Sequence, residues 1–298
     1  MKYASAPTFR DALEQRLRAQ AHESGASLQR LRKRVAFERF LARLVVAAPD
    51  RWLLKGAFAL ELRLGLQTRT TKDIDLVRSD GEQGATEDLI AATAIDLGDF
   101  FVYSARRAQA LDAESGFHVV RYTVVCELAG RRWEQFPVDI GLAEPTELRP
   151  ERLRSLDLLA LAGIDAPELP VVAPEQHIAD KLHAYTARYR TTELSSTRSK
   201  DLIDIVLVAG LVTLDAEVLR AALESTFTLG ARQPLSDALP APPDGRTVPY
   251  AKLAAEVGLD TDLAAGHSEA GRLLDPVLAR TAGGSWDPAH TRWSGRSR

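Results

Sequence analysis

One stretch limits what this chain can fold into more than any other: Leu54 to Val77, L-K-G-A-F-A-L-E-L-R-L-G-L-Q-T-R-T-T-K-D-I-D-L-V. It follows Trp52-Leu53, turns at Lys55-Gly56-Ala57, runs through Phe58, Leu60, Leu62, Leu64 and Leu66, and closes on Asp73-Ile74-Asp75-Leu76-Val77. Carboxylates at i and i+2 of an extended apolar run project to the same side of a strand. Two such groups suit a hard cation, which prefers oxygen ligands. A glycine turn just upstream lets bare backbone N–H groups approach a phosphate. The stretch reads as a metal-dependent phosphoryl or nucleotidyl transfer site, although an Asp-x-Asp also ends many ordinary strands on their solvent side.

The rest of the chain narrows the setting. Its 298 residues allow one large domain or two moderate ones with a sizeable core. A hydrophobic fraction of 45% and a charged fraction of 27% are those of a soluble globular protein. The net charge of −3 gives no global attraction to nucleic acid, so any RNA contact needs a local basic face. Cys126 is the single cysteine, which excludes an internal disulfide and a thiolate metal cluster, and it reads as a small buried side chain in a strand. Met1 to Arg10 lacks an apolar signal core and no run approaches a membrane span, so the expected location is cytoplasmic, with no membrane partner. A small-molecule kinase is disfavoured, because neither a G-x-x-x-x-G-K-[ST] loop nor the kinase motif set is present.

In chain order, residues 8–48 read as helices, with Thr8 as the cap candidate. Leu28, Leu31 and Val35 begin one stripe; Phe37, Phe40, Leu41, Leu44 and Ala48 continue on roughly the opposite face, so the helix is buried on two sides or broken near Val35. Arg32, Arg39 and Arg43 share a face that either lies along RNA or is simply solvated. Asp80–Gly84 reads as a loop, Glu87–Leu97 as a helix, Asp99–Ala105 and Phe117–Glu127 as strands, and Gly130–Arg132 as a hairpin turn. Trp133–Gly141 is a further strand that carries Asp139, and Pro137 marks it as an edge or irregular one. Asp139 reads by itself as a strand-end acid that caps a turn. Residues 144–173 are punctuated by proline and form a soft boundary.

From Pro174 the chain reads as helical, with Ile178, Leu182, Tyr185 and Tyr189 as a buried stripe and His177, Lys181 and Arg188 on a neighbouring face. Thr191–Ser199 reads as a loop, Leu202–Leu211 as core, Ala216–Leu223 as a helix and Pro234–Pro249 as irregular chain. The last helices are Tyr250–Val257 and Ser268–Ala282, the second interrupted or kinked at Pro276. Trp286 and Trp293 read as packing anchors.

The order K-G-A-x-A-L, then R-x-T-x-D-I-D-L, resembles the AbiEii/AbiGii toxin family. So do the E-x-x-x-A-x-K-L pattern around Lys181, the K-D-x-x-D at Lys200–Asp204 and the tail S-W-D-P-A-H-T-R-W. The resemblance covers about residues 35–295 and implies a nucleotidyltransferase fold related to DNA polymerase beta. The fold expected is mixed α/β (α+β): a mixed β-sheet flanked by helices, then a mainly helical C-terminal region. The domains would be 1–165, the transferase domain with its N-terminal helices, and 166–298, a helical domain completing the active site.

By position, the resemblance makes Asp73, Asp75, Asp139, Lys181 and Asp201 the catalytic set, with Asp73, Asp75 and Asp139 holding Mg²⁺ or Mn²⁺. Nucleotide binding would fall to Lys55, Gly56, Ala57, Arg69, Thr71 and Lys72. Ala57 stands where relatives often carry glycine or serine, so a side-chain hydroxyl contact is missing there. Thr71, two residues before Asp73, would face the same pocket, and its phosphorylation would place negative charge beside the carboxylates. The implied biology is a toxin of a toxin–antitoxin or phage-defence pair, with its antitoxin encoded nearby. It would transfer NMP from NTP, pyrimidine above all, to the 3′ acceptor end of tRNA and block aminoacylation. The alternatives are transfer to a protein or small molecule, and a catalytically silent binding module.

Overall fold

The computed structural model describes residues 2–108, 118–142, 149–187, 195–229, 234–242 and 245–295. Arg188, Tyr189 and Thr191 lie outside them. The chain divides into two compact units: the described residues of 2–66, 70–112 and 118–171 form the first, and those of 67–69 and 172–298 the second.

The first unit opens with two helices. The first, α1 (Ala6–Ser24), is capped by Ser5, whose Oγ accepts from Thr8 N at 3.4 Å, so the cap lies three residues before the Thr8 expected. Gly25, at φ +71°, ends it in the left-handed conformation. The second, α2 (Leu28–Ala47), is capped by Ser27 and runs unbroken past Val35. Both of its apolar stripes are buried, so of the two alternatives the helix buried on two sides is the one observed.

For Arg39 and Arg43 that burial overturns both readings of the arginine face. Arg43 and Arg39 are 0% and 5% exposed and converge on Asp99, at 2.6 Å each, while Arg32 pairs with Glu14. A buried carboxylate must be paired, and these arginines pair it. Arg34 joins Glu38 at 2.7 Å and Glu61 at 2.9 Å in a second buried network.

Among the described residues seven strands form one mixed sheet: β1 (Leu53–Lys55), β2 (Ile74–Arg78), β3 (Phe101–Arg107), β4 (His118–Leu128), β5 (Arg131–Leu142), β6 (Glu151–Arg154) and β7 (Glu168–Val171). Their order is β3-β4-β5-β2-β1-β7-β6. Parallel pairing joins β2 to β5 and β1 to β7, and the other neighbours are antiparallel. Strands β6 and β7 lie in the stretch read only as a proline-punctuated boundary, and β7 lies beyond residue 165. Helix α3 (Gly56–Leu64) leaves β1 directly, and α4 (Gly81–Thr93) starts inside the expected loop because Ala85, Leu89 and Ala92 supply a buried stripe. Pro137 sits in an interior strand rather than an edge. It is tolerated because pairing to β2 begins only at Val138.

The core beneath the sheet is aromatic. Phe37 packs edge-on against Phe58 and Phe136, with centroids at 5.0 and 4.7 Å. Cys126 is buried in β4, and burial pushes its thiol up to about 12.

The second unit is helical: α5 (Pro174–Thr186), α6 (Ser195–Leu211), α7 (Ala216–Leu229), α8 (Thr247–Glu256) and α9 (Leu263–Leu278), with a small hairpin of β8 (Trp286–Asp287) and β9 (Arg292–Trp293). Pro174 opens α5 at its first turn, where the missing N–H costs nothing. Pro276 lies within the last turn of α9, which begins at Leu263, well before Ser268, capped by Asp262. Trp286 donates to Ala209 O and Trp293 to Leu273 O, and their rings meet at 5.5 Å, as packing anchors do. Among the described residues no helix is long and apolar enough to cross a membrane.

Candidate active site

In the first unit, three adjacent strands bring charged side chains together. β2 pairs with β1 on one side and with β5 on the other, in a register that sets Lys55 opposite Asp75 and Asp75 opposite Asp139. Asp73 stands just before β2, its Oδ1 accepting from Thr71 Oγ1 at 2.8 Å. Thr71 is 5% exposed, so its hydroxyl is held against Asp73. The strand register thus sets Asp75 beside Asp139, and Asp73 precedes Asp75 by two residues.

Gly56 makes this arrangement sterically feasible. Its φ is +67°, and a Cβ placed there would lie 2.0 Å from Asp75 Oδ2. Only glycine allows both the left-handed turn and that approach. The turn sends the chain from β1 into α3 without a loop, and no side chain caps the first N–H groups of that helix. Ala57 is buried directly behind it, and Lys72 is exposed. The Lys55 side chain reaches across β2: its Nζ is 3.9 Å from where a Cβ on Gly141 of β5 would stand.

Arg121 on β4 completes the row. It sits opposite Asp139 and donates from Nε to Oδ1 at 2.6 Å and from Nη2 to Oδ2 at 2.5 Å. Those hydrogen bonds, with the nearby charges of Asp139, Asp73 and Asp75, hold the guanidinium above its ordinary value despite partial burial. Sequence reasoning missed Arg121, since nothing local ties a residue in β4 to one eighteen positions on.

The donor set suits a divalent ion in part. Asp73 and Asp75 supply hard carboxylate oxygens. Among the described residues no three His, Cys, Asp or Glu side chains already converge as a metal cage. The third carboxylate, Asp139, has both oxygens on Arg121. The residues therefore fit Mg²⁺ or Mn²⁺ only in part, through Asp73 and Asp75.

The second unit holds a charged cluster of its own. Lys181 on α5 lies 2.8 Å from Asp204 Oδ2 and 3.3 Å from Asp201 Oδ1, both on α6. Arg69 grips Asp204 with two bonds of 2.9 Å, which commits to a carboxylate a guanidinium expected on a triphosphate. Two cations thus balance two acids at a site where Asp204 is fully buried. Burial pushes Asp201 up to about 6, against the pull of Lys181. Burial acts on Asp204 too, but Lys181 and Arg69 outweigh it and hold that carboxyl well below the usual range. Asp204 was legible as the second acid of K-D-x-x-D, on the same helix face as Asp201 three residues earlier, yet only Asp201 was singled out.

Acidic groups on a mixed sheet, beside a glycine turn that opens a helix, suit metal-assisted phosphoryl or nucleotidyl transfer. Residues 39–266 match the family model described as nucleotidyl transferase AbiEii toxin, type IV toxin–antitoxin system. Among solved structures, the chain is similar to MenT4, a nucleotidyltransferase toxin from Mycobacterium tuberculosis H37Rv, at 17% identity, with 91% of this chain and 98% of that chain covered and a TM-score of 0.52. JHP933 from Helicobacter pylori is similar at 18% identity over 85% of this chain and 93% of that one, with a TM-score of 0.49. No curated sequence matches. The chain belongs to the AbiEii nucleotidyltransferase toxin family of type IV toxin–antitoxin systems.

Proposed function

We propose that the protein transfers a nucleoside monophosphate, a pyrimidine one above all, from NTP to the 3′ acceptor end of tRNA, and that this is how it acts as a toxin. The observation that carries the reading is the pairing of Asp75 with Asp139 beside the Gly56 turn, with Asp73 two residues before Asp75. In the reaction, the acceptor hydroxyl oxygen bonds to the α-phosphorus, the bond to the β-phosphate oxygen breaks, and pyrophosphate leaves. The hydroxyl proton passes to the carboxylate cluster. A bound Mg²⁺ or Mn²⁺ would neutralise charge on the transferring phosphate. Asp73 and Asp75 would hold it, with Asp139 as the third carboxylate. The backbone at Gly56 and Ala57 would cradle the β- and γ-phosphates at the start of α3, with Lys55, Thr71 and Lys72 nearby. Lys181 would hold the triphosphate as a compact charge, kept in place by Asp201. Arg69 supports it through Asp204. A cognate antitoxin encoded nearby and a cytoplasmic, phage-defence setting follow from the same reading.

The test is incubation with total tRNA, Mg²⁺ and each labelled NTP in turn, beside Asp73→Ala and Lys181→Ala. Label should move onto tRNA from one nucleotide and fall by roughly a hundredfold or more in both variants. Label on a protein or small molecule instead would keep the chemistry and replace the acceptor. No transfer to any acceptor would favour a binding module.

A further inference from the structure

Directly paired residues on adjacent strands share a face of the sheet. Lys55 is paired with Asp75, Asp75 with Asp139, and Asp139 with Arg121, so β1, β2, β5 and β4 carry one row of side chains in the order cation, carboxylate, carboxylate, cation. A strand pair places like charges side by side at a cost, and Asp75 and Asp139 bear that cost in the middle of the row. The two ends offset it. Arg121 does so with both oxygens of Asp139 in a planar two-bond grip, the strongest form of such a pair.

We propose that Arg121 is a positioning residue that guards Asp139: it occupies the third carboxylate in the resting protein and yields it only when the triphosphate arrives to take over the guanidinium. This rests on the metal-dependent reading above and adds to it an order of events. A divalent ion alone meets Asp73 and Asp75 but finds Asp139 taken and a fixed positive charge beside it. The triphosphate brings the negative charge that draws Arg121 off. Arg121 has room to move, since a third of its side chain is open to solvent. Metal binding is therefore weak in the free protein and strengthened by nucleotide, a coupling that must run equally in both directions.

The test is Mn²⁺ alone, titrated into the full chain by electron paramagnetic resonance, followed by the same titration with NTP. In Arg121→Gln, Mn²⁺ without nucleotide should bind about tenfold more tightly, the order of effect one neighbouring charge exerts on an ionic site. The further gain on adding NTP should shrink by a similar factor. Arg121→Lys, which keeps the charge but cannot grip both oxygens, should fall between. Unchanged or weaker Mn²⁺ binding in a folded Arg121→Gln would make Arg121 a structural brace and overturn the proposal. A readout on the unaltered protein stands beside it: under Mg²⁺ titration the ¹³C carboxyl shift of Asp139 should move only once NTP is added. Movement with Mg²⁺ alone would equally overturn the proposal. Asp73→Asn separates the two readings. If it binds Mn²⁺ as well as the parent does, the metal site itself is wrong. If it loses the ion while Arg121→Gln gains nothing, only the guard is wrong.

Discussion

At Gly56 the backbone turns at φ +67° beside the Asp75 carboxylate, and a methyl group there would overlap Oδ2. Gly56→Ala should therefore cost about 1–3 kcal/mol in backbone strain and displace Asp75. A shift of about 1 Å at a reacting centre is worth roughly a hundredfold in rate. Nucleotidyl transfer should fall by that order while the melting temperature drops only a few degrees; unchanged transfer would remove Gly56 from the site. At Lys181 the informative variable is pH. Asp201, pushed up to about 6 by burial, is ionised above that value and protonated below it. A transfer rate that depends on ionised Asp201 holding Lys181 should decline as pH falls through about 6. Asp201→Asn should be slower at neutral pH and lack that acidic limb, as a pH–rate profile would read.

At the scale of the element, α2 is the least ordinary piece of the first unit, a helix buried on two sides and carrying charge into the core. Asp99 and Arg43 are both fully buried. Arg43→Ala leaves Asp99 with Arg39 alone and should lower stability by about 3–5 kcal/mol, whereas Arg18→Ala, on the open face of α1, should change it by about 0.5 kcal/mol or less. Urea midpoints check both, and an unshifted midpoint in Arg43→Ala would return that arginine to a surface role. Glu38 gives α2 a pH dependence. Burial, resisted by Arg34, raises it from 4.5 to about 7. Between those values the folded chain keeps a proton that the unfolded chain has released, so this contribution to stability is full below about 4.5 and is lost as pH rises through about 7. Glu38→Gln cannot ionise. Its stability relative to the parent should be more favourable at pH about 8 than at pH about 5; no change in that difference would mean that Glu38 does not titrate there.

For the whole molecule, a ligand that binds only the folded chain stabilises it by mass action. Mg²⁺ with the correct NTP at about a hundredfold above its dissociation constant should add about 2.7 kcal/mol, or roughly 5 °C in melting temperature for a chain of this size. The shift should vanish in an Asp73→Asn/Asp75→Asn double variant. An equal shift in that variant would place the nucleotide elsewhere.

Much of this molecule follows from local pattern. The Asp73–Asp75 alternation, the glycine turn, the stripe of Ile178, Leu182 and Tyr185, and the i, i+3 placement of Asp201 and Asp204 are set by a chain's own periodicity over a few residues, which any reader of the sequence can apply. Those patterns determined which side chains share a face. Three things were decided only in the tertiary structure. Arg39 and Arg43 went inward because Asp99, some sixty residues away, needed partners. Asp139 came beside Asp75, and Arg121 beside Asp139, because strand register across β2, β5 and β4 put them there. Arg69 went to Asp204, 135 positions on. Asp99 and Asp204 are buried charges, stable only when paired, and in every case a sequence names the charge without naming its distant partner.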